Sequence, residues 1–158
     1  MSEQAPLDTL GMWEAAAGLP EQLSEALASA RDAFGRSAPV APEGGTVRAV
    51  AALGLGTGAL ACEAVAALVA PDLAVPFWVG HGAGVPAFVG PGTLVFAVSC
   101  SGGTAETLEA TAAAVARGAT VVAVGGAADG ALARLADDAG VPWCPVAPSG
   151  PRARTSRA

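Results

Sequence analysis

Residues 94–108 read LVFAVSCSGGTAETL, a segment that changes character twice. Leu94-Val95-Phe96-Ala97-Val98 is a short continuous apolar run with Gly and Pro before it and Ser and Gly after it. That pattern predicts a fully buried strand. From Thr104 onward the residues are helix formers, with Thr104 placed to cap the helix and Glu106 in its first turn. Between them, Ser99-Cys100-Ser101-Gly102-Gly103-Thr104 puts three hydroxyls and two glycines at a strand-to-helix turn. Such a turn presents backbone N–H groups and the positive end of a helix dipole, an arrangement that suits an anion, above all a phosphate. A polar turn that caps its own helix needs only Thr104, so the extra hydroxyls favour the phosphate reading.

Outward from this segment, strands and helices alternate. Val47–Leu53 is predicted as a strand, Ala59–Val69 as a helix and Val75–Val79 as a strand, followed by a Gly/Pro-rich loop to Leu94. The helix from Thr104 should stop at Gly118, with a strand over Ala119–Val124 and a short helix over Gly130–Ala136. Val141–Val146 suits an edge strand because Pro142 and Pro145 would break a central ladder. Upstream, a short helix is expected near Met12–Ala17. A longer one should begin at Pro20, with Leu23, Ala26, Leu27, Ala30 and Phe34 on one face and Gly35 as its stop. Residues 37–46 form a Pro/Gly-rich connection.

This alternation implies an α/β fold: a five-stranded parallel sheet in the order 2-1-3-4-5, covered by helices on both faces. Ligands of such sheets bind beyond the carboxyl ends of the strands, where the chain reverses direction between the first and third. The turn after the first strand is Gly54-Leu55-Gly56-Thr57-Gly58, so the order predicts two Gly-rich turns side by side. Gly54-x-Gly56-x-x-Ala59 also matches a dinucleotide fingerprint. A nucleotide site would want an acid at the end of the second strand, where this chain has Trp78-Val79-Gly80-His81 and the nearest acid, Asp72, comes earlier.

Composition narrows the functional classes. The 158 residues are 53% hydrophobic and 14% charged, enough for one domain with a real core. A net charge of −6 argues against nucleic acid or an anionic membrane as partner. All eight cations are Arg, so no lysine can act as Schiff base, proton donor or phosphate clamp. Cys62, Cys100 and Cys144 lack metal-ligand spacing, which suggests small thiols in a reducing, cytoplasmic setting with no metal and no cofactor. The apolar stretches over 49–70 and 73–105 are interrupted by Gly, Pro or charge and belong to a core, not a membrane span; no signal peptide is expected.

The loop SCSGGTAETL resembles the Ser/Thr-rich phosphate loop of SIS (sugar isomerase) domains. More narrowly, the chain is similar to the N-terminal half of bacterial and archaeal bifunctional phosphoglucose/phosphomannose isomerases. The likeness runs from about Asp8 to Ala153 through Gly11-Met12, Leu19-Pro20-Glu21-Gln22, the Gly54–Ala59 turn, Val85-Pro86-Ala87-Phe88-Val89-Gly90, the phosphate loop and Pro151-Arg152-Ala153. It implies that Ser99, Ser101 and Thr104 hold a sugar phosphate, assisted by the amides of Gly102 and Gly103. Gly54, Gly56, Thr57, Gly58 and His81 would line the substrate pocket, and Arg152 would reach the reacting end of the sugar. It further implies residues 1–46 as a helical lead-in packing on the domain, 47–150 as a sugar-phosphate-binding SIS domain and 151–158 as an Arg-rich tail. A phosphorylated hexose is the expected ligand, and a second copy or a second SIS domain the expected partner.

The departures matter equally. The family's Gly-Gly-Ser turn reads Gly56-Thr57-Gly58 here, and the Arg and Tyr usual after the second strand are replaced by His81 and Ala83. The family carries a second SIS domain after Pro-Arg-Ala that supplies a catalytic Glu, His and Lys, whereas this sequence ends at Ala158. The chain alone is therefore expected to bind sugar phosphate without enzyme-like turnover. A non-catalytic sensing module is the alternative. Glu63, Glu106 and Glu109 have an ordinary explanation as dipole-complementing acids early in helices. His81 lies in a Gly-His-Gly-Ala-Gly loop, where a surface histidine is the plain reading and ligand contact the functional one. Cys100 with His81 would make a nucleophilic pair, but nothing local orients that histidine. Trp13, Trp78 and Trp143 are expected as core or interface anchors.

Overall fold

The computed structural model describes residues 11–35 and 45–146. Two N-terminal helices, α1 (Met12–Ala17) and α2 (Leu19–Gly35), precede a five-stranded sheet. Its strands are β1 (Ala49–Leu53), β2 (Phe77–Gly80), β3 (Thr93–Ser99), β4 (Thr120–Gly125) and β5 (Trp143–Pro145). The helices between them are α3 (Thr57–Val69), α4 (Ala105–Ala116) and α5 (Ala131–Asp138). Every strand pair is parallel and the order is β2-β1-β3-β4-β5, as the alternation implies.

Element ends move by a residue or two from the sequence reading, and prolines account for two of the shifts. β2 starts at Phe77 because Pro76 has no amide to donate, although its carbonyl still accepts from the Val50 N–H at 2.8 Å. β5 shrinks to three residues, starting after Pro142 and ending on Pro145, and lies at the sheet edge.

The core lies between one face of the sheet and α4 and α5. Ala51, Leu53, Val95, Ala97, Val121 and Ala123 project to that face and meet Ala110, Ala114, Leu132 and Ala136. Small helix residues let the helices approach closely. On α4 the buried positions Thr107, Ala110, Thr111 and Ala114 follow the helical repeat, and Thr111 Oγ1 donates to the Thr107 carbonyl at 2.6 Å. Trp78 and Trp143 border this core as expected, with Trp78 edge-on to Phe88 at 6.2 Å between ring centroids. Trp13 is 67% exposed and so is not a core residue.

α3 covers β1 and β2 on the opposite face through Gly58, Ala59 and Cys62. α2 runs against β5, where Ser29 Oγ donates to the Pro145 carbonyl at 3.3 Å. The apolar stripe read on α2 is divided: its Leu23 and Leu27 are each more than half exposed. The side chains turned inward are smaller, with Ala26, Ser29 and Ala30 only partly accessible.

Candidate functional site

The three hydroxyls of the β3–α4 loop converge. Ser99 ends β3 and is buried; its Oγ lies 3.2 Å from Thr104 Oγ1 and accepts the Gly102 N–H at 3.1 Å. Ser101 is exposed; its Oγ lies 3.4 Å from Thr104 Oγ1 and accepts the Gly103 N–H at 3.4 Å. Thr104 occupies the N-cap position with extended backbone, yet its side chain makes no capping bond to α4. The capping role expected of Thr104 is therefore not what its hydroxyl does; it joins the two serines. The two contacts with Thr104 Oγ1 use two of the three hydroxyl protons and leave one to donate outward; rotation of the hydroxyls towards an anion frees the others, in front of a helix N-terminus.

The loop is held from behind. Gly102 adopts φ 68°, and a Cβ there would come within 3.1 Å of Ala127 Cβ and 3.2 Å of Gly130 Cα. Its carbonyl accepts from the Leu132 N–H at 2.8 Å, tying the loop to the first turn of α5. Glycine is needed here both for the left-handed backbone and for the close approach.

The β1–α3 turn lies alongside. Gly56 has φ 57°, and α3 starts at Thr57, two residues earlier than the sequence suggests. Gly58 is buried against the end of β3, where an added Cβ would sit 3.1 Å from the Val98 carbonyl oxygen. Gly54 donates its N–H to the Gly80 carbonyl at 3.2 Å, linking the turn to the end of β2. Thr57 is exposed in the first turn of α3. Gly54, Gly56, Thr57 and Gly58 thus share the carboxyl edge of the sheet with Ser99, Ser101, Gly102, Gly103 and Thr104, as strand order requires.

His81 follows β2 at the same edge. Its Nε2 lies 3.1 Å from Glu63 Oε1, and both side chains are about half exposed (53% and 52%). The dipole explanation for Glu63 does not hold, because α3 begins at Thr57 and carries no acid in its first turn. Glu106 does occupy the first turn of α4. No local sequence signal links Glu63 to His81; their pairing depends on β2 lying beside β1. The Cys100 thiol is free and exposed, and the ion-pair partner of His81 is Glu63. Burial raises the pKa of the Cys62 and Cys144 thiols, so both favour the neutral form. Arg152, with the rest of the tail, lies outside the described residues. Among the described residues no group of three or more His, Cys, Asp or Glu is arranged to hold a metal, and no helix is long and apolar enough to cross a membrane.

Two adjoining turns at the switch point of a parallel 2-1-3-4-5 sheet, one glycine-rich and one hydroxyl-rich, define a doubly wound α/β domain. Residues 47–140 match the SIS domain family model, and the chain belongs to that family. The sugar isomerase domain of an RpiR transcription factor from Sphaerobacter thermophilus is 21% identical with a TM-score of 0.56, covering 85% of this chain and 78% of that one. The Vibrio vulnificus NanR protein, solved in complex with ManNAc-6P, is 19% identical with a TM-score of 0.52, covering 86% and 56%. A phosphosugar isomerase candidate from Clostridium difficile is 18% identical with a TM-score of 0.60, covering 73% of this chain and 33% of its own. The chain thus spans a third of that protein, and it spans 29% of a similar candidate from Bacillus subtilis. At these identities the likeness shows the fold. No curated protein matches the chain.

Proposed function

We propose that this chain binds a phosphorylated hexose at the carboxyl edge of its sheet. Ser99, Ser101 and Thr104 donate to the phosphate, and the Gly102 and Gly103 amides assist through the Ser99 and Ser101 hydroxyls to which they donate. Gly54, Gly56, Thr57, Gly58 and His81 line the sugar, and Arg152 reaches it from the tail. The observation that carries this reading is the convergence of the three hydroxyls on one another, with Thr104 withheld from capping α4. A loop that only started a helix would spend that hydroxyl on the helix amides. Membership of the SIS family and the bound ManNAc-6P of NanR support a sugar phosphate over other anions.

In this reading residues 47–150 form the sugar-phosphate-binding domain, 1–46 a lead-in that packs on it and 151–158 a tail. The domain corresponds to the first half of a glucose-6-phosphate/mannose-6-phosphate isomerase and works in the cytoplasm beside a second SIS domain or a second copy of itself. Leu60, Val65 and Leu68 on α3 and Leu19, Leu23 and Leu27 on α2, all substantially exposed, support such a partner surface. A sensing module is the second reading, favoured by the mutual coverage of 85% and 78% with the RpiR sugar isomerase domain. Calorimetric titration of the purified chain tests the shared core of both readings: glucose 6-phosphate should bind and glucose should not. Equal affinity for the two sugars would refute phosphate recognition.

A further inference from the structure

The geometry points to Glu63 and His81 as a coupled pair that reads the hydroxyls at the far end of the sugar from the phosphate. This inference rests on the phosphosugar reading and adds the determinants of sugar recognition to it. Three observations lead to it. The two side chains come from different elements, α3 and the loop after β2, and meet at 3.1 Å. An exposed ion pair of this kind contributes little to stability, about 0–1 kcal/mol, so folding alone gives it small reason to exist.

Position is the second observation. Leu53 pairs with Gly80 on one side and with Ala97 on the other, so β1 and β2 end level and β3 runs two residues further, to Ser99. His81 follows Gly80 directly, and the hydroxyl loop begins two residues beyond Ala97. Adjacent parallel strands lie about 4.8 Å apart, which puts the backbone after β2 about 10 Å along the edge from that after β3. That separation suits a hexose phosphate with its phosphate on the β3–α4 loop and its hydroxyl end towards β2. The Gly54–Gly58 turn lies between the two, and Gly56, where an added Cβ would meet nothing within 4 Å, leaves room for the body of the sugar.

Chemistry is the third. A carboxylate has a second acceptor oxygen and an imidazole a second ring nitrogen beyond the atoms that join them. Both groups remain about half exposed, so a carboxylate oxygen and a ring nitrogen are presented side by side. Adjacent sugar hydroxyls each donate and accept, and match such a pair. Glu63 orients the His81 ring, and His81 contacts the sugar.

Calorimetry on the full chain tests this with glucose 6-phosphate and inorganic phosphate as separate probes. His81→Ala and Glu63→Ala should each weaken glucose 6-phosphate about tenfold, the scale of one to two hydrogen bonds, and leave inorganic phosphate nearly unchanged. The double variant should lose no more than either single one, because each residue works through the other. Glu63→Gln keeps an acceptor for the ring N–H and should regain part of the loss. Unchanged glucose 6-phosphate affinity in both single variants would overturn the proposal, as would an equal loss for inorganic phosphate or fully additive losses. Ser101→Ala separates the two readings. If it spares glucose 6-phosphate while His81→Ala does not, phosphate recognition by the loop fails and the pair stands; if the parent chain does not bind glucose 6-phosphate, both fall.

Discussion

Replacing Ser101 with Ala isolates binding from folding better than any other change in the loop. Ser101 is exposed, and both of its hydroxyl contacts, to Thr104 Oγ1 and from the Gly103 N–H, are long at 3.4 Å. Their loss should change stability by no more than about 0.5 kcal/mol, as for most surface substitutions. Ser99 offers no such separation: it is buried and engages both Thr104 and the Gly102 N–H, so its removal would disturb the loop itself. A hydrogen bond to a charged group contributes roughly 1.5–3 kcal/mol. Ser101→Ala should therefore weaken glucose 6-phosphate by about 10- to 150-fold. Titration calorimetry reads the affinity, and urea unfolding of both forms checks that their midpoints coincide. Equal affinity of the two forms for glucose 6-phosphate, with equal stability, would refute the argument that this hydroxyl faces a phosphate.

The isolated chain should not isomerise glucose 6-phosphate or mannose 6-phosphate at an enzyme-like rate, because binding a remote phosphate accelerates nothing unless a base and an acid act at the reacting carbons. In a coupled assay, turnover of about 1–10³ per second would contradict this and single out Glu63 or His81 as the proton acceptor. The exposed leucines of α2 and α3 should drive self-association. Sedimentation at roughly tens of micromolar should show a dimer or larger species that Leu68→Glu shifts towards monomer; a monomeric parent would count against the partner surface. Among the thiols, Cys100 is exposed, whereas Cys62 and Cys144 are buried with raised pKa values, so less of either is thiolate at a given pH. A thiol reagent at mildly alkaline pH should label Cys100 quickly and the other two only on unfolding. Equally rapid labelling of all three would show that the core opens readily.

The strand-helix alternation was legible from residues alone because it rests on local causes. LVFAV reads as a strand from its apolar continuity and its bounding residues, and Pro142 and Pro145 mark an edge by the amides they lack. From alternation to a parallel sheet with the Gly54–Gly58 turn beside the Ser99–Thr104 loop takes only the handedness and switch-point rules. The close approach of Gly58 to the Val98 carbonyl agrees with that juxtaposition. Tertiary structure decided three other matters. Thr104 had an evident local role as a cap, and only the folded loop turned its hydroxyl to Ser99 and Ser101. Glu63 had an ordinary explanation on its own helix, and only the placement of β2 beside β1 brought His81 to it. The apolar stripe of α2 promised burial by its spacing, yet only its Ala26 and Ala30 are partly covered, beside the Ser29 that reaches β5, and Leu23 and Leu27 are exposed. Periodicity records which residues share a face of one element; which face meets which neighbour depends on strand order and helix placement, and no local pattern encodes those.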